Sequence, residues 1–171
     1  MRGGIWVLTL FGAIWGAVGV LGTGMAPLLV AVPVAISLVL LFWATRQVRA
    51  PISEEMQARI GRLVGIWSAV EGVAIFVGVT VCQNIGAPDA IAPVIAIIVG
   101  LHFLPLARGI PMPLYYASGA ALIATGGCAL LLSEPARMLF TGFGSAAILW
   151  VSCVALVLRK GTRPIGQPGR A

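Results

Sequence analysis

Charged residues are scarce in this chain, and their scarcity points to its class. Asp, Glu, Lys and Arg make up 9% of its 171 residues, whereas soluble domains carry about 25%. Residues 3–45 contain no charged side chain at all. Because so few polar groups cannot cover a water-soluble globule, we predict an integral membrane protein whose main partner is the lipid bilayer.

The chain also lacks the residue patterns of most enzymes and metal sites. Its three cysteines, Cys82, Cys128 and Cys153, form no CxxC pair, and we expect them to be small, reduced packing residues. A P-loop lysine, a GxSxG turn and an HExxH helix are all missing, and no two acids are spaced for general acid–base catalysis. The sequence therefore predicts no enzyme, no catalytic residues, no cofactor and no metal site.

Apolar runs of membrane-spanning length are what the chain has in abundance. About 20 apolar residues cross a bilayer as a helix, and turn-forming residues separate six such runs. The predicted fold is all-α: a polytopic membrane protein with six transmembrane helices in a single transmembrane domain, residues 1–171. These helices pair as three helical hairpins, at about 4–45, 63–107 and 113–158. The individual helices are expected at about 4–22, 26–45, 63–82, 88–107, 113–132 and 137–158.

Two hydrophilic segments lie outside the hairpins. In residues 46–62, Ser53 can cap a helix whose first turn holds Glu54 and Glu55. Apolar residues follow at helical spacing, so we expect a cytoplasmic amphipathic connection against the headgroups. Residues 159–171 are predicted to be a disordered tail. The first apolar run also fits a signal peptide, but another span follows it directly, which favours an uncleaved helix.

The basic residues indicate how the helices are oriented. The formal net charge is +6, and with a cytoplasmic amino terminus ten of the eleven basic residues fall inside and only Arg137 outside. This bias predicts that both termini are cytoplasmic. Because the basic residues mark helix ends rather than one exposed face, no nucleic-acid partner is expected.

The first two hairpins are similar in sequence. Shifting the chain by 61 positions aligns 14 identical residues over residues 4–42 without a gap, which predicts an internal repeat. Each unit holds two spans, so the repeats enter the membrane from the same side and are parallel. The hypothesis is a pseudo-threefold ring of three hairpins, with an irregular six-helix bundle as the alternative.

Glu71 is the only acid placed inside an apolar run. It lies near the predicted membrane midplane, where a charged acid costs several kcal/mol. Its helix face includes Ser68 and other small residues, so we expect it to point into the protein. Glu71 and Ser68 are candidates for a transport or proton site, and a structural hydrogen bond between helices is the alternative for Glu71.

His102 is the only histidine, and it lies within about one helical turn of the level of Glu71. The two side chains can pair if their faces meet, and we include His102 in the candidate site. The alternative is a buried histidine bonded to a backbone carbonyl, for which Pro105 frees that of Leu101. The repeat places leucines, Leu10 and Leu41, at the positions equivalent to Glu71 and His102.

Small residues recur at four-residue spacing in two helices. Gly12 and Gly16 form a GxxxG pair, and Ala117, Ala121 and Thr125 repeat the spacing in helix 5. Small residues allow close helix packing, either inside the protein or at a homodimer face.

Residues 100–108, GLHFLPLAR, resemble a segment of small uncharacterised bacterial six-helix membrane proteins. The resemblance covers helix 4 and its end. It implies a bacterial inner-membrane location and brings no known activity.

The predicted function is movement of a small solute, proton or cation through the bundle, with Glu71 as the central ionisable group. A chain this short is expected to work as a homo-oligomer or with another membrane protein. The alternative is a non-transporting packing subunit or sensor that binds another membrane protein or lipid.

Overall fold

A computed structural model describes residues 2–47, 53–110 and 112–159. Within these residues the chain is entirely helical, with no strand, which confirms the all-α class. The six α-helices are α1 Arg2–Gly22, α2 Ala31–Gln47, α3 Glu54–Asn84, α4 Ile91–Gly109, α5 Pro113–Leu130 and α6 Ala136–Leu158.

Five of the helical segments are long and apolar enough to cross a membrane: Gly3–Gly22, Pro27–Gln47, Glu54–Asn84, Pro88–Gly109 and Ala136–Leu158. The remaining helix, α5, has 18 residues, and tyrosines, glycines and hydroxyl side chains occupy many of its positions. Length and composition thus support five of the six predicted spans directly.

The connection before α3 differs from the sequence-based expectation. Helix α3 begins at Glu54 rather than near residue 63 and runs unbroken to Asn84, so residues 54–62 are the first part of this helix. At 1.5 Å per residue its 31 residues extend about 46 Å, well beyond a hydrocarbon core of about 30 Å. Residues 48–52, and the predicted tail beyond Arg159, lie outside the described residues.

The helices pack in the spatial order α2, α1, α6, α5, α4, α3. The most extensive contacts join α4 to α5 and α1 to α6, so the third hairpin lies between the other two. Neither α1 nor α2 makes an extensive contact with α3 or α4. The predicted ring of three hairpins is therefore wrong for the described helices, which form the irregular bundle that was its alternative.

Glycines explain why these two contacts dominate. A Cβ at Gly100 of α4 would lie 2.7 Å from the carbonyl oxygen of Gly119 of α5, and one at Gly126 would lie 2.5 Å from that of Pro93. In the α1–α6 contact, a Cβ at Gly142 would meet the backbone of Gly19. Backbones at this separation leave no room for a side chain, so the packing order follows where glycines face each other.

The predicted GxxxG pair of α1 serves internal packing. A Cβ at Gly12 would lie 2.5 Å from Trp150 Nε1 of α6, and one at Gly16 would collide with the ring of Pro33 in α2. The small residues at four-residue spacing in α5 do not all lie in one helix contact, because Ala117 is exposed whereas Thr125 is buried. The close contact of α5 runs through its glycines instead.

The two hairpins that the sequence predicts to be a repeat share local structure at their turns. Pro27 and Pro88 are 61 positions apart, and each begins a 3-10 turn that leads into the second helix of its hairpin. Gly24 and Gly86 precede these turns with φ of 69° and 72°, a conformation that glycine adopts without strain. The packing is not repeated, since α1 packs against α2 and α6 whereas α3 makes its extensive contact with α4.

Candidate functional site

Glu71 lies on the side of α3 that faces α4. Trp67, Glu71 and Ala74 are partly covered, whereas Val70 and Val73 between them are exposed. Because α4 is the α-helix with which α3 makes its extensive contact, this covered stripe is the contact between the two helices. Glu71 is the only one of the five acids that is not exposed, which agrees with the expectation that it points into the protein.

His102 is presented to α3 by its place on α4. Consecutive helical residues point about 100° apart, so His102 can face α3 while Phe103 faces α5. Phe103 is buried, and its ring centroid lies 5.7 Å from that of Tyr115 in α5. The α4 helix therefore lies between the pair and the core of the bundle.

Glu71 and His102 meet across the α3–α4 contact. His102 Nδ1 lies 3.2 Å from the carbonyl oxygen of Trp67 and 3.6 Å from Glu71 Oε2. Trp67 and Glu71 are four residues apart, which places them one turn apart on the same face. Side-chain exposure is 10% for His102 and 14% for Glu71, so the pair is largely shielded.

The two interactions considered for His102, pairing with Glu71 and a hydrogen bond to a backbone carbonyl, both involve its Nδ1. It is close to Glu71, and it is also hydrogen-bonded to a backbone carbonyl. The carbonyl is that of Trp67 in α3, not that of Leu101, which the sequence suggested. In the sequence, only the position of Trp67 one turn before Glu71 pointed to its carbonyl as a partner of His102. A sequence does not show which backbone oxygen of one helix faces the next helix.

The chemistry of these groups defines where one proton must lie. A carbonyl oxygen only accepts, so His102 Nδ1 has to carry a hydrogen in order to donate it to Trp67. With one further proton, either on the Glu71 carboxyl or on His102 Nε2, the pair has no net charge. Without that proton the pair has a net charge of −1. The arrangement is therefore able to take up and release a single proton.

Ser68, the third candidate, is not joined to this pair. It is exposed on α3, and among the described residues no hydrogen bond links it to Glu71 or His102. Its place in a transport site stays a prediction.

Other polar side chains are buried in the bundle without any charge. Ser118 of α5 and Ser152 of α6 have their hydroxyl oxygens 2.6 Å apart. Ser145 of α6 is fully buried, and its hydroxyl has no hydrogen-bond partner among the described residues. Neither feature was expected from the sequence, where isolated serines in apolar helices are indistinguishable from ordinary packing residues.

Two cavities of the described chain lie away from the candidate pair. They run along α1 and α2 with volumes of about 340 and 570 Å³, and neither is lined by Glu71 or His102. Nor do three His, Cys, Asp or Glu side chains of the described chain come together as a metal site would require.

No protein-family model, curated protein or solved structure matches the chain. Its function is therefore inferred from the chemistry of its own residues.

Proposed function

We propose that this chain is a multi-pass membrane protein that moves a proton, or a small solute or cation together with one. Glu71 is its central ionisable group and His102 is the partner. The observation that carries the proposal is the contact between the only unexposed acid and the only histidine, 3.6 Å apart.

The cost of such a pair in a membrane favours a functional role. An acid or a basic residue near the bilayer centre costs roughly 2.5–3.5 kcal/mol on insertion scales, and such residues commonly mark ion and proton pathways. The repeat places Leu10 and Leu41 at the equivalent positions, so the hairpin scaffold does not require an ionisable pair. Glu71 and His102 hold one exchangeable proton while the pair is neutral, which keeps this cost low.

The membrane placement is proposed on the same grounds. The five apolar helices have spanning length, and basic residues lie at helix ends that antiparallel hairpins would bring to one face: Arg46, Arg59, Arg62, Arg108 and Arg159. The positive-inside rule makes that face cytoplasmic. We propose a bacterial inner-membrane protein with both termini in the cytoplasm.

Proton flux into liposomes tests the proposal. Purified full-length protein is reconstituted with a pH-sensitive dye inside, and flux is driven by a potassium diffusion potential. Glu71→Gln is expected to lower protein-dependent flux at least tenfold, because the amide binds no proton at this site. The matched control is Asp89→Asn at an exposed position between the hairpin helices, which is expected to leave flux unchanged.

Wild-type flux no greater than that of empty liposomes would overturn the proposal. Equal flux from wild type and folded Glu71→Gln would remove Glu71 from it. Thermal unfolding and elution as a single species distinguish loss of flux from loss of fold.

A second candidate is a non-transporting subunit or sensor that binds another membrane protein. It is favoured by α3, which makes its extensive contact with α4 and exposes large apolar side chains on its other side, among them Ile66, Val73 and Phe76. The same face suits a homo-oligomer of a transporter. Co-purification of one stoichiometric partner with a protein that conducts no proton or cation would favour this second function.

A further inference from the structure

A tryptophan of α6 packs against both helices of the first hairpin. The α1 and α2 helices touch where Gly16 meets the ring of Pro33. One turn nearer the amino terminus, Trp150 of α6 packs against Gly12, and its Nε1 donates a hydrogen bond of 2.9 Å to Ser37 Oγ. The indole therefore lies against both α1 and α2 at this level, and α6 positions the two helices relative to each other.

An apolar groove runs along α1 and α2. The two cavities along α1 and α2 share Trp6, Leu38 and Leu41, so together they form one continuous groove. It begins beside Val34 and ends beside Thr45. Its lining is almost wholly apolar, and it does not involve the Glu71–His102 pair.

A cation lies at the open end of this groove. Arg46 follows Thr45 directly, and its guanidinium carbon lies 3.8 Å from the centroid of the Phe42 ring, which lines the groove. Stacking on an aromatic ring holds a guanidinium in place while its N–H groups remain available to an anion. The groove therefore pairs an apolar surface with a positioned positive charge at one end.

We propose that this groove binds an anionic phospholipid, with one acyl chain between α1 and α2 and the headgroup phosphate on Arg46. The length agrees, since twelve residues of α2 rise about 18 Å and half of a hydrocarbon core of about 30 Å is one leaflet. The charge agrees as well, because a guanidinium binds phosphate through two parallel hydrogen bonds. The inference rests on the proposed membrane placement and not on proton movement, so a failed flux assay would leave it standing.

Native mass spectrometry of the full-length protein tests the headgroup contact. The protein is released from detergent with equal amounts of phosphatidylglycerol and phosphatidylcholine that have identical acyl chains. Wild type is expected to retain the anionic lipid preferentially. Arg46→Gln is expected to lower that preference roughly fivefold, the factor for one basic contact at a membrane surface. Arg108→Gln, at the exposed end of α4, is the matched control and is expected to keep it.

A groove-filling substitution tests the acyl-chain contact. Ala13→Phe, on the α1 wall, is expected to reduce retention of both lipids, whereas Val73→Phe on the exposed face of α3 leaves it unchanged. If Ala13→Phe destabilises the protein, Leu38→Trp on the α2 wall fills the same space from an exposed position.

Three results would overturn the inference. They are equal retention of the two lipids by wild type, an unchanged preference in Arg46→Gln, and unchanged retention in both folded groove-filling variants. Inorganic phosphate is the comparison ligand, and retention of phosphate alone, without loss in the groove-filling variants, would show a headgroup-sized anion site rather than a lipid groove.

Discussion

Glu71 Oε2 and His102 Nδ1 lie 3.6 Å apart across the contact between α3 and α4. The same nitrogen is 3.2 Å from the carbonyl oxygen of Trp67, so one imidazole joins α4 to two successive turns of α3. Because α4 is the α-helix with which α3 makes its extensive contact, this polar contact lies in the main interface that holds α3 to the bundle.

We predict that the effects of replacing Glu71 and His102 on stability are not additive. Glu71→Leu or His102→Leu alone should lower the free energy of unfolding by about 1–3 kcal/mol, because each leaves a shielded polar partner unpaired. The double variant carries the leucines that the repeat has at Leu10 and Leu41, and it should be close to wild type in stability, since both polar groups are removed. Reversible denaturant unfolding in a fixed detergent measures all four proteins.

Additive losses in the double variant would contradict this coupling. They would indicate that Glu71 and His102 are stabilised by separate neighbours. Proton flux of the double variant should be lost even though its stability is retained, which separates the role of the pair in function from its role in folding.

The α4–α5 contact predicts that a substitution at Gly119 of α5 destabilises the protein, whereas one at Gly127 does not. Gly119→Ala should destabilise the protein by about 1–3 kcal/mol, because its Cβ would lie 2.7 Å from the carbonyl oxygen of Gly100. Gly127→Ala in the same helix is the matched control. Nothing lies within 4 Å of a Cβ there, so this change should be neutral or slightly stabilising through helix propensity. Thermal unfolding compares the two, and equal effects would contradict the close backbone approach.

The proposed six-span arrangement predicts labelling from opposite sides of the membrane. In a Cys128→Ala background, Gln57→Cys in the first turns of α3 should react with an impermeant maleimide only after the cells are opened. Glu134→Cys, in the turn between α5 and α6, should react in intact cells. Both positions are exposed, whereas the remaining cysteines, Cys82 and Cys153, are buried. Reaction of both introduced cysteines from the same side would contradict the proposed topology.

The sequence predicted the helices better than their arrangement. Apolar run length and turn residues located all six helices, and Pro27 and Pro88 marked the second helix of each repeated hairpin. Packing order depends on which small residues face each other, and composition does not encode this. The described helices do not form the ring, because the first hairpin makes no extensive contact with α3 or α4, whereas both of these hairpins contact the third.

For the candidate site, too, the sequence predicted the positions of residues better than their contacts. Helical rise places Glu71 and His102 at one level, so their positions in the sequence are enough to predict that the two side chains can meet. The hydrogen bond to Trp67 depends on how α3 is rotated against α4, a property of the packed pair rather than of either sequence segment. Ser68 was included because it shares a face with Glu71 by spacing, but that position is exposed at the edge of the contact.

Nitrogen-15 solid-state NMR of the protein in lipid bilayers tests the central claim most directly, because His102 is the only histidine and its two ring nitrogens give unique signals. The geometry predicts a protonated Nδ1 at every pH at which the protein is folded, with proton exchange at Nε2 that changes when Glu71 is replaced by Gln. An unprotonated Nδ1, or a titration of Nε2 that is identical in wild type and Glu71→Gln, would contradict the shared proton of Glu71 and His102.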